Sequence, residues 1–247
     1  MSRMLSAAGE GALVLPPLFE AVLIADPSDV HAHACRIAAQ SGAGTLVYAI
    51  SEETVALAIV LEPDKPLVAA RLAFFAGMAA MGDSLAFHCV PERQVAFAWP
   101  DEFLFDLARL GGARLAAPEG TGDDDVPEWM VFSVELIHAR PSLADPGAYP
   151  GSTSLVEEEF DPPEAIIESF TRHLMRAFDA MATEGMSAVT TAYLERLQAN
   201  TDRDWMIDGR GDLLQRGEPG AAPTRQSLSN GLAACRWYDP VRKAPLL

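Results

Sequence analysis

With 247 residues and 49% hydrophobic content, the chain can bury the core of one large domain, or of one domain with a small appendage. Its 18 Lys and Arg against 35 Asp and Glu leave a net charge of −17, which repels a phosphate backbone and argues against a nucleic-acid partner. Three widely spaced cysteines, Cys35, Cys89 and Cys235, lack the close pairs of a metal site or a disulfide framework, so a reduced, cytoplasmic protein is expected.

Leu13 to Pro17 reads as an entry loop and Phe19 to Ile24 as a first strand. Asp26-Pro27-Ser28-Asp29 then starts a helix, because proline suits the first turn and carboxylates favour the positive end of the helix dipole. That helix is predicted to run to about Gln40. It places His31 and Cys35 on one face and turns His33 away, and two ligands are too few for a metal site. Gly42 and Gly44 give the following turn its backbone freedom. Leu46 to Ile50 and Thr54 to Leu61 form a hairpin, and Asp64-Lys65-Pro66 introduces a helix from Leu67 to about Ala80 that stops at Gly82. Arg71 interrupts its apolar run, which is also short for a bilayer, so a buried helix is expected and a membrane role is not. His88 and Cys89 follow and read as structural.

Gln94 to Trp99 is a strand ended by Pro100, which cannot donate to a ladder. Asp101 and Glu102 occupy the turn, Phe103 to Phe105 return, and Leu110 to Leu115 carries Gly111 and Gly112, where a second backbone or a ligand comes close. Asp123-Asp124-Asp125 lies in a solvated acidic loop. Its ligand spacing does not suit a hard cation. Glu128 to His138 is the strongest strand and is expected at the sheet centre. Asp161 and Glu164 match a capping box with Pro162 in the first turn, and Ile166, Phe170, Leu174, Phe178 and Met181 make a core-facing stripe. Glu184-Gly185 breaks to a second helix, Ser187 to Leu197. Asp208-Gly209-Arg210-Gly211 reads as a hairpin turn between Trp205-Met206-Ile207 and Asp212-Leu213-Leu214, and Pro219 to Asn230 reads as loop.

The stretch Trp99 to Gly112 resembles biotin protein ligases and, more distantly, lipoate ligases. Those enzymes carry Lys-Trp-Pro-Asn-Asp, a hairpin and Lys-Leu-Ala-Gly at the same spacing. Trp99 and Pro100 match outright, Asp101 stands at the Asn, Glu102 at the Asp, Arg109 at the second Lys and Gly112 at the Gly. Gly42 and Gly44 are similar to the first two glycines of the family's Gly-Arg-Gly-Arg-Arg-Gly-Arg loop, and Thr153-Ser154-Leu155 resembles its Thr-Ser-Leu. The resemblance departs at Ala98, which replaces the lysine that binds the acid and the nucleotide phosphate, and at Ala43 and Thr45, which replace loop arginines. Ser133 and Glu135 stand in the family's Gly-rich central strand.

The resemblance implies an α+β fold, a mixed β-sheet with helices mainly on one face and a small β-rich C-terminal piece, divided as 13–200 and 201–247. The second part is expected to be a shortened SH3-like segment. Gly42, Gly44, Ala98, Trp99, Asp101, Arg109, Gly111 and Gly112 are the candidate ligand-binding residues, with no metal and no catalytic residue assigned. No cofactor is evident from the residues themselves; ATP with biotin or lipoate enters by resemblance only. Three functions follow. The favoured one is a degenerate, non-adenylating site that binds a small carboxylic acid or regulates. The others are an acyl or adenylyl transferase re-routed through Arg109 and Asp101, acting on a carrier protein, and a structural or interaction protein with a filled cleft. A transferase using Cys35 or Cys89 as nucleophile has no predictable base to support it. Oligomeric state stays open, the homodimer being frequent in the family.

Overall fold

The computed structural model describes residues 13–198, 205–215 and 223–247. A seven-stranded sheet organises it: β1 (Glu20–Leu23), β2 (Thr45–Ile50), β3 (Thr54–Leu61), β4 (Val95–Ala98), β5 (Glu102–Phe105), β6 (Ala108–Ala116) and β7 (Met130–Ile137) lie in the order β1-β2-β3-β7-β6-β5-β4. Only β1 and β2 run parallel, so the sheet is mixed. All eight residues of β7 are buried, as expected of the central strand.

The two faces are covered unequally. Helices α2 (Leu67–Ala70), α3 (Ala73–His88), α4 (Pro163–Thr183) and α5 (Met186–Arg196) build the main core on one face, around Phe74, Phe75, Phe97, Phe132 and Phe170. On the other face, α1 (Val30–Ser41) covers only β2, β3 and part of β7 through Val30, Ala34 and Ala38. Small residues on both sides, Ala49, Ala56 and Ala58 in the strands, let that helix sit close.

Three local expectations are corrected. Gly82 does not end the second helix, which breaks instead near Arg71 and Leu72 and then continues to His88. Gly82 is a packing position: a Cβ there would lie 2.6 Å from the Phe97 ring. Asp161 caps nothing, because α4 begins after Pro162 without a side-chain cap, and its carboxylate pairs with His88 Nδ1 at 2.8 Å. Beyond Pro223, the stretch expected as loop holds β10 (Thr224–Gln226) and α6 (Leu228–Ala234), where the Ser227 hydroxyl accepts from the Asn230 amide. Pro219 to Ala222 lie outside the described residues.

The C-terminal part contains a three-stranded antiparallel sheet of β8 (Trp205–Ile207), β9 (Leu213–Gln215) and β10, then a short pair, β11 (Tyr238–Asp239) with β12 (Ala244–Pro245). Gly211, at φ 87°, supplies the positive φ of the hairpin turn. Leu213 and Leu228 are fully buried in the main core, which docks this part on the sheet.

Candidate functional site

Strand register decides which sequence candidates meet. Ala98 pairs with Glu102, Glu102 with Gly112, Gly112 with Glu135 and Glu135 with Ala56, so these residues form one row on the α1 face. Arg114 pairs with Ser133 in the next row on the same face. Arg109 joins them, its Nε donating to Glu102 Oε1 at 2.6 Å.

The remaining candidates lie elsewhere. Trp99 turns to the opposite face, where its ring lies 6.1 Å from those of Phe75 and Tyr193. The Trp99–Pro100 peptide is cis, and the Pro100 carbonyl accepts from the buried Tyr193 hydroxyl at 2.9 Å. Gly111 faces the main core and relieves strand crowding, since a Cβ there would stand 2.1 Å from the Glu135 carbonyl oxygen. Gly42 and Gly44 sit at the start of β2, at least three inter-strand spacings, about 14 Å, from Gly112. Gly44 is needed where it is: φ is 87° and a Cβ would meet the Leu18 carbonyl oxygen at 2.1 Å. It borders a separate apolar cleft of about 710 Å³ between the end of β3 and α4.

On the α1 face beyond the reach of α1, the C-terminal segment supplies the cover. The Trp237 indole lies flat against Gly112, where a Cβ would come within 2.2 Å of the ring, and only 1% of Trp237 is exposed. Gly231 of α6 presses on Pro100 in the same way, at 2.7 Å. The Arg114 guanidinium ion-pairs with buried Glu135 and stacks over Tyr238 at 4.4 Å and Trp237 at 5.7 Å.

Asp101 is only 3% exposed beneath this cover. Burial pushes its carboxyl up to about 7, against the opposing pull of the Trp237 indole N–H, which faces it, while the Glu102 charge raises it further. The contact is imperfect, for neither Asp101 Oδ2 nor Trp237 Nε1 completes a hydrogen bond. The residue holds its turn as the sequence suggests, yet buried rather than at the surface.

Next to Arg114 opens a cleft of about 370 Å³ bordered by His31, Arg71, Arg114, the strand end at Leu115–Ala117, and Ser229 and Leu232 of α6. His31 Nδ1 meets Ser133 Oγ at 2.7 Å, and Cys35 Sγ lies 3.9 Å from His31 Nε2. Burial, helped by the Arg114 charge, lowers the His31 pKa to about 4, so the ring is neutral at physiological pH. Burial also raises the Cys35 thiol, which therefore stays protonated and a poor nucleophile. Arg71 is held by Asp123 at 2.7 Å. Among the described residues no group of three or more His, Cys, Asp or Glu side chains is arranged to hold a metal.

Sequence reasoning missed Arg114 and Trp237. The first was legible, because two residues past Gly112 on a strand is the same face. Trp237 carried no signal, its contact with Gly112 spanning more than a hundred residues.

Comparison with known proteins agrees with this fold. The family model described as the biotin/lipoate A/B protein ligase family matches residues 15–195. A biotin protein ligase-like protein of unknown function from Silicibacter sp. tm1040 shares the fold with a TM-score of 0.76 at 22% identity, over 90% of this chain and 99% of its own. Biotin protein ligase from Aquifex aeolicus follows at TM-score 0.65 and 10% identity, over 86% of this chain and 97% of its own. The same enzyme in complex with biotin and ATP gives 0.60 at 9% identity, over 83% and 94% of the two chains. No curated protein matches the sequence. A family model that spans most of the chain, together with the shared sheet, establishes that this protein belongs to the biotin/lipoate A/B protein ligase family.

Proposed function

We propose that this protein binds a small carboxylic acid on the α1 face of its sheet, beside Arg114, and does not adenylate it. The observation that carries the reading is the charge along one row of the sheet. Where family resemblance puts a lysine, this chain has Ala98, and the neighbours across the row are the carboxylates Glu102 and Glu135. Adenylation concentrates negative charge on phosphate and carboxylate oxygens, and loss of a single donor typically slows such a step ~10²- to 10³-fold. With Arg109 and Arg114 paired to these carboxylates, the row offers a triphosphate no excess positive charge.

Arg114 and Arg71 border the cleft; each already meets one carboxylate, Glu135 and Asp123, and offers the rest of its five N–H donors to a second. The apolar wall of Leu67, Leu115 and Met130 suits the hydrocarbon body of such an acid. Biotin and ATP, bound together in the Aquifex aeolicus enzyme, name the first compounds to try. Arg109 does not replace the missing lysine: Glu102 holds it, and it does not border the cleft.

A filled, non-binding face is the competing reading, favoured by Trp237 seated on Gly112. Titration calorimetry with biotin, lipoate and octanoate separates the two. Binding that weakens in Arg114→Ala is expected, together with no pyrophosphate exchange in the presence of ATP. Exchange at the rate of an active ligase sinks the proposal, and absence of binding by all three acids leaves the filled face.

A further inference from the structure

The segment that covers Gly112 is built as a strap. Its two ends are anchored: Leu228 is fully buried in the main core, with its amide on Asp212 Oδ1 at 3.0 Å, and Pro245 is buried in the β11–β12 pair. Between those anchors Trp237 is the one buried residue. Cys235 and Lys243 bracket it in the left-handed backbone region, at φ 39° and 52°, so the chain turns in and out again around a single inserted side chain.

Closure is held by opposing terms. Burial of the indole and stacking of Arg114 on Trp237 and Tyr238 favour it. Against it, five buried atoms at the contact, Asp101 Oδ2, Arg114 Nε and Nη2, Glu135 Oε2 and Trp237 Nε1, complete no hydrogen bond. Buried polar groups in a settled interior are satisfied almost without exception. Lifting the indole admits water or a ligand to these atoms. An element with balanced terms of this kind is one that a ligand can shift.

We infer that Trp237 is a latch: it closes the sheet face over Gly112 beside the Arg114 cleft, and the segment from Cys235 to Lys243 must lift before an acid can extend from that cleft across the row. The inference rests on the acid-binding reading above and adds its regulation. A ligand competing with the latch sees only the open fraction of molecules, so its apparent affinity falls by that fraction. Removing the indole removes the competition.

The test uses the full chain with biotin, lipoate and octanoate as probes. Trp237→Ala is expected to bind at least one of them about tenfold or more tightly than the wild type. In the wild type, saturation with that acid is expected to speed amide hydrogen exchange in 235–243 while β6 stays protected. Tyr238→Ala, which removes one of the two rings that Arg114 stacks on and leaves the indole in place, provides a second route to the open form and is expected to gain affinity likewise. Urea unfolding checks that each variant is folded. Equal affinity in wild type and variants, with unchanged exchange on binding, overturns the latch and leaves the acid site standing. No binding by any of the three proteins removes both.

Discussion

Replacing Asp101 with Asn tests how the site is buried. Asp101 holds its proton to about pH 7 in the fold, against an ordinary value of 3.8, because burial disfavours the charged form. The folded state therefore binds more protons than the unfolded one in this window. The stability contribution of Asp101 is complete below about pH 4 and is lost as pH rises toward 7. His31 works in the opposite sense. Its folded pKa of about 4 lies below the ordinary 6.5, so its contribution grows as pH rises through that interval. Each group changes stability by at most ~1.4 kcal/mol per pH unit, so in the wild type the two nearly cancel from about pH 4 to 6.5. Asp101→Asn removes one side of the balance. Urea unfolding at pH 4.5, 5.5, 6.5 and 7.5 is expected to show the variant gaining on the wild type with pH, by ~1.4 kcal/mol per unit until about pH 7, then levelling. A constant difference across these four values refutes the claim that Asp101 is held neutral under Trp237.

Other outcomes follow from single contacts. Gly77→Ala is expected to lose about 1–3 kcal/mol on urea unfolding, because its Cβ would stand 2.6 Å from the Phe132 ring. Arg140 is buried, its guanidinium bonded to Glu157, Ser152 and the Tyr149 carbonyl, and Arg140→Ala is expected to cost about 1–3 kcal/mol by leaving the buried Ser152 acceptors without their donor. Ala98→Lys is expected not to create pyrophosphate exchange, since Glu102 lies directly across the ladder and takes the new ammonium. Exchange appearing in that single variant counts against the charge argument.

Much of the fold was legible because it is local. The hairpin of β2 and β3, the turn at Pro100, the long β7 and the break at Gly185 each announce themselves within a few residues. Gly82 misled because glycine has two uses, and only the Phe97 ring, brought there by the sheet, shows which one applies. Asp161 was read as a cap for the same reason, its partner His88 being far away in sequence. At the site, the glycines identified the right strand but not the cover. Gly112 and Trp237 are made neighbours by the whole intervening chain. Gly42 and Gly44, joined to Trp99 in the sequence argument, end near the opposite edge of the sheet.

Helix α3 carries a consequence for how the molecule is made. Twelve of its sixteen residues are buried, and Leu67–His88 is apolar enough to cross a membrane by length and composition alone. Its cover comes late: Ser84 donates to the Ile166 carbonyl, and Gly82 is packed by Phe97 and by the Arg196 side chain. A ribosome adding ~5–20 residues per second exposes this greasy segment for several seconds before Pro163–Arg196 is available to shield it. During that interval the nascent chain is a substrate for holdase chaperones, and slowing translation lengthens the exposure.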